Sequence, residues 1–112
     1  MVDIDTQAEG EIFFITVQGE LDASSSIHLD TAIAEALESG YKKIAIGCSG
    51  LEYISSAGLG VFMSYIEDMK KEGKTMVIYG VNEKVKNVFQ ILGLDQLLTL
   101  VDTKEKAIEV VG

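Results

Sequence analysis

The chain has 112 residues, 47% of them hydrophobic, which predicts one domain over 1–112 with a core of its own. Its formal net charge is −9 and all nine basic residues are lysines, so nucleic-acid binding, which works by cationic neutralisation, is not expected, and an anionic membrane would repel the chain. One cysteine, Cys48, excludes an internal disulfide, the start MVDIDTQAEG has no secretory pattern, and the run Ala57 to Met63 is far shorter than the ~20 residues of a membrane span; a cytoplasmic setting without membrane insertion is expected.

In chain order, Ile12 to Val17 predicts a strand before the break at Gly19-Glu20, and residues 2–8 can pair with it as a hairpin through Glu9-Gly10-Glu11. Ser24 to Ser26, after Asp22, are helix-start residues. Leu29, Ile33, Ala36 and Leu37 then recur at helical spacing until Gly40. Lys43 to Cys48 reads as a short central strand. After SGLEYI a helix places Leu59, Phe62, Met63, Ile66 and Met69 or Lys70 on one stripe and stops at Gly73. Thr75 to Tyr79 is a strand. Glu83 to Leu92 is a helix with Val85, Val88, Phe89 and Leu92 facing inward. Leu97 to Val101 is a last strand, and Thr103 to Val111 a helix capped by Asp102 or Thr103. This order predicts an α/β fold: a mostly parallel mixed sheet with an antiparallel N-terminal hairpin, right-handed crossovers and about four helices.

The stretch EYISSAGLGVF, Glu52 to Phe62, raises the chemical question. A nucleophilic serine needs a base; the only histidine, His28, lies in another helix, and no G-x-S-x-G elbow surrounds Ser55 or Ser56. One cysteine and one histidine in different elements cannot build a tetrahedral metal site, no EF-hand spacing occurs, and Cys48 reads as a small buried hydrophobe. SSAGLG stands at a strand-to-helix turn, where free N–H groups favour anions, but lacks the lysine of a P-loop. Gly60 reads as a packing glycine; Gly58 fits either packing or a cradle. A receiver domain is disfavoured because Gly47-Cys48-Ser49 offers no acceptor aspartate. What remains is a serine, Ser55 or Ser56, capping a helix, with a hydroxyl that a kinase could reach.

YISSAGLGVF resembles the signature of the STAS domain, found in sulfate transporters and anti-sigma factor antagonists, in which an aromatic or aliphatic pair precedes Asp-Ser-Ser/Thr-Gly-Leu-Gly. Gly19-Glu20-Leu21-Asp22 resembles the family's Gly-Glu/Asp-Leu/Ile-Asp, and GVNEKVKNVFQILGLDQLL its later helix and Gly-Leu. The resemblance runs over roughly residues 3 to 110. It implies a bacterial anti-sigma factor antagonist: a protein that is not an enzyme, needs no cofactor, and releases a sigma factor by binding an anti-sigma factor with serine kinase activity. In that family the first serine after the aspartate is phosphorylated, which blocks binding, and a serine phosphatase restores it. The acceptor matches Ser56, with Ser55 as second choice. Here Ser55 stands at the aspartate, and Gly47 where an acidic or amide residue is common near the end of the third strand.

The implied partner surface comprises the 20–25 loop with Glu20, Asp22 and Ser24, and the helix start with Ser55, Ser56, Ala57, Gly58, Val61 and Tyr65. Val61 and Tyr65 fit peripheral core as well as contact surface. A monomer is expected in the absence of the partner. The alternatives are a STAS adaptor without phosphorylation, in a stress complex or in lipid transport, and a small-molecule or nucleotide module using the 56–60 turn.

Overall fold

A computed structural model describes residues 2–112. The elements are β1 (Val2–Glu9), β2 (Ile12–Leu21), α1 (Ser26–Glu38), β3 (Lys43–Ile54), α2 (Ser56–Lys71), β4 (Thr75–Tyr79), α3 (Glu83–Ile91), a 3-10 turn (Leu94–Gln96), β5 (Thr99–Val101) and α4 (Lys104–Val111). The five strands form one sheet in the order β1-β2-β3-β4-β5. The β1–β2 pair is antiparallel and the others are parallel. Fold class and element order are as the sequence predicts.

Alternation along the strands sorts the core into two layers. Ile15, Val17, Leu21, Ile44, Ile46, Cys48, Met76 and Ile78 face α1, α2 and α3, together with Leu29, Ile33, Phe62 and Phe89. In register, Ile15 lies beside Ile46 and Ile46 beside Ile78. The intervening Phe14, Ala45 and Val77 face α4 through Ala107 and Val111. Period two on the strands and about 3.6 on the helices thus converge on one sheet with three helices on one side and one on the other.

Several boundaries differ from the sequence reading. β2 does not end at Val17: it continues through irregular pairing at Thr16/Gln18 and Gly19/Glu20 to Leu21, with Gly19 at φ 96°. β3 does not end at Cys48. Its pairing with β4 stops at Gly47–Tyr79, while its pairing with β2 runs on to Leu21–Ile54. The two strands therefore project beyond the sheet as a ribbon, and Leu51 and Ile54 are buried beneath it. Gly47 consequently lies mid-strand, on the α4 side, away from Ser56. A Cβ there would stand 2.6 Å from the Tyr79 hydroxyl, so the tyrosine ring occupies the space a side chain at 47 would need. At the other end, β5 begins at Thr99 rather than Leu97. Leu92 is 57% exposed instead of facing inward, because α3 ends at Ile91.

Candidate functional site

The site stands where the β2–β3 ribbon hands over to helices. Ser55 is the cap of α2: its backbone is extended (φ −91°, ψ 172°) and its Oγ accepts a hydrogen bond from Gly58 N at 3.2 Å. Its own N–H donates to the Leu21 carbonyl at 2.8 Å, which fastens the end of β3 to the end of β2. Ser56, at the first helical position, is exposed and its hydroxyl plays no part in the cap. The choice the sequence leaves between the two serines is thereby made: one caps, the other faces water.

Of the two glycines, Gly58 takes the first of its two alternatives and the packing role expected of Gly60 is overturned. Gly58 is the packing glycine, since a Cβ there would lie 3.0 Å from Ile54 Cγ1, 3.2 Å from Leu21 Cβ and 3.3 Å from the Leu21 carbonyl. Gly60 is not: it is exposed, and a Cβ there would meet nothing within 4 Å.

The neighbouring loop is built on Asp22. Its Oδ1 accepts from Ser24 N at 3.1 Å, Ser24 Oγ at 2.9 Å and Ser25 N at 2.9 Å. The Ser25 hydroxyl accepts from Asp22 N at 2.9 Å and is within donating reach of Asp22 Oδ1 (2.8 Å) and the Glu20 carbonyl (2.9 Å); its single proton serves one of them at a time. Hydrogen bonds from Ser25, then Ser24, hold the Asp22 carboxyl down at about 2. Ser25 and Ser26 are buried, whereas Ser24 is exposed.

The structure therefore brings the 20–25 loop and residues 55–58 together through Leu21. Ala57 and Val61 are half-buried, Val61 against the core. Tyr65 is also half-buried, and its hydroxyl donates to the Asp30 carbonyl at 3.3 Å, joining α2 to α1. Burial, with that hydrogen bond, pushes its ionisation up to about 12, so it remains a neutral donor. Two exposed apolar residues escape the sequence reading. Ile27, 61% exposed in the first turn of α1, breaks the amphipathic pattern. Tyr53, 46% exposed, pairs with Glu20 across the ribbon.

Among the described residues no group of three or more His, Cys, Asp and Glu side chains could hold a metal ion. His28 is exposed on α1. The Cys48 thiol is fully buried, and desolvation raises it to about 12, leaving it protonated and inert. A cavity of about 390 Å³ lies at the opposite end of the sheet from Ser56, lined by Glu11 and Ser39 through Lys43. No helix among the described residues is long and apolar enough to cross a membrane.

Comparison with known proteins agrees with this architecture. The sequence profile of the STAS domain matches residues 3–107. Anti-sigma-B factor antagonists of Staphylococcus aureus (strain NCTC 8325 / PS 47) and Staphylococcus epidermidis are each 26% identical over 97 residues, covering 87% of this chain and 90% of theirs. The crystal structure of an anti-sigma factor antagonist from Mycobacterium paratuberculosis superimposes with a TM-score of 0.90 at 21% identity, covering 99% of this chain and 94% of that one. The Bacillus cell fate determinant SpoIIAA, in its phosphorylated form, gives 0.75 at 21% identity, with 98% and 100% covered. At these identities the two structures speak to the fold alone. With a profile match spanning nearly the whole sequence, the chain belongs to the STAS domain family.

Proposed function

We propose that this protein is an anti-sigma factor antagonist that binds an anti-sigma factor with serine kinase activity, releases a sigma factor, and is switched off by phosphorylation of Ser56. The observation that carries the reading is the division of labour at α2: Ser55 spends its side chain on the cap, while Ser56 presents a hydroxyl to solvent. A phosphate adds about −1.5 to −2 charges. At the first position of α2, whose first turn has no acidic residue, that charge meets the positive end of the helix, so the fold tolerates it. The effect falls on the partner instead, because a phosphate closed into the contact must be desolvated. The sequence around Ser55 and Ser56 has no nucleophile elbow and His28 lies on another helix, which supports binding without turnover.

Incubation with such a kinase and ATP, followed by mass mapping, tests the proposal. Phosphate is expected on Ser56. Ser56→Ala should keep partner binding and lose modification, Ser56→Asp should bind less well, and a serine phosphatase should restore binding to the phosphorylated protein. Phosphate on Ser55 alone overturns the assignment. Partner binding without any phosphorylation points instead to a STAS adaptor, a second reading that the neutral Ser55 at the family's aspartate position favours.

A further inference from the structure

Gly60 has no reason to be glycine that lies within this chain. Its φ is not positive, and a Cβ would meet nothing within 4 Å. In a helix interior glycine is less favourable than alanine, so the fold would be more stable with a side chain there. Gly60 is four residues after Ser56, both are exposed, and four residues is one turn, so they share the outward face of α2 about 6 Å apart along the axis.

That face is also unlike the rest of the surface. From Glu52 to Glu67 no intervening residue is charged, in a chain that is 24% charged. On α2 itself exposed charges enter only from Glu67 on, as Glu67, Asp68, Lys70 and Lys71; elsewhere they are Glu35 and Glu38 on α1, Glu83 and Lys84 on α3, and Lys104, Glu105, Lys106 and Glu109 on α4. On α1, the helix that Tyr65 ties to α2, the first turn carries Ile27, 61% exposed. A neutral stretch with apolar projections at Tyr53 and Ile27 has the composition of an interface core, where charges are depleted.

We infer that the partner's main chain or an apolar side chain seats directly over Gly60, one turn beyond Ser56, with Ile27 as the neighbouring anchor. The inference rests on the proposed function for its occupant, the anti-sigma factor kinase. It also accounts for the switch. A contact closed down on the uncharged first half of α2 offers a phosphate on Ser56 no charged side chain from that stretch and no room for water.

The test is Gly60→Ala in the whole chain, measured for thermal stability and for affinity towards the purified anti-sigma factor kinase. Melting temperature should rise by about 4 °C, because helix propensity improves and nothing clashes. Affinity should fall about tenfold, because the added methyl overpacks the contact. A residue with a purely structural role could not move the two in opposite senses. Ile27→Ala should also weaken binding, and Ile108→Ala, on α4 across the sheet, should not. Unchanged affinity of Gly60→Ala for a kinase that binds the wild-type chain overturns this inference and leaves the proposed function standing. A wild-type chain that binds no such kinase overturns both.

Discussion

Two serine clusters open two neighbouring helices, and they end in opposite states. Ser24 to Ser26 and Ser55-Ser56 each follow a strand of the β2–β3 pair. At α1 the hydroxyls are consumed: Ser25 is buried and bonded to Asp22 and Glu20, Ser24 bonds to Asp22 and Ser26 is within 3.3 Å of the Ala23 carbonyl. At α2 one hydroxyl caps and the other faces solvent. Residue type does not decide which serine is available for modification. The carboxylate of Asp22 does, because a strong acceptor draws the hydroxyls of its own turn inward. At residue 55 the chain has a serine in place of such an acceptor.

Substitutions can break this contrast, and the largest effect should come from the closed cluster. Ser25→Ala removes a buried hydroxyl and strands the Asp22 N–H, so stability should fall by about 2 kcal/mol, read as a lower urea midpoint at unchanged slope. At the open cluster, Gly58→Ala sets the overpacking of Ile54 and Leu21 against a gain of about 1 kcal/mol in helix propensity; the Leu21 backbone cannot move aside cheaply, so a net loss of about 1 kcal/mol is expected. Ser55→Ala should cost a similar amount, about 1 kcal/mol, through the lost cap. Ser56→Ala should change stability by less than about 0.5 kcal/mol, since nothing in the fold leans on that hydroxyl. Equal losses for Ser55→Ala and Ser56→Ala would erase the distinction between cap and free hydroxyl.

Acid sharpens the same comparison. The Asp22 carboxyl is depressed from 3.8 to about 2 in the folded chain. The unfolded chain therefore takes up the proton first, and the stabilisation is fully present above about 4 and lost as pH falls through 2. Asp22→Asn should flatten the part of the acid-unfolding curve between those values, whereas Ser55→Ala and Ser56→Ala should leave its shape alone. A curve of unchanged shape for Asp22→Asn would show that the carboxylate does not hold the loop as the hydrogen bonds imply.

Much of this was legible in the sequence because it is local. The strand and helix order follows from two periodicities, and the stripe of Leu59, Phe62, Ile66 and Met69 is buried as the spacing requires. Ser24–Ser26 read as a helix start, although the Asp22 network that fixes them was not visible. The motif at 53–60 covers the strand-to-helix turn that Ser55 caps. The far end of β3 is not legible because SGLEYI carries no alternating apolar pattern and is strand only because β2 lies beside it; the far end of β2 is not legible because Gly19-Glu20 reads as a break, whereas the strand passes through it with irregular pairing. Leu92 looked like core because it continues a spacing that α3 does not.

By itself the sequence determined the class of fold, the family and the strand-to-helix turn at 54–56, since periodicity, capping residues and a motif are properties of neighbours along the chain. Only the tertiary structure decided which serine caps, which glycine packs and why position 47 is bare. Those answers depend on Leu21, Ile54 and Tyr79 arriving from other elements. A glycine's role is set by what stands over it, and spacing alone does not record that.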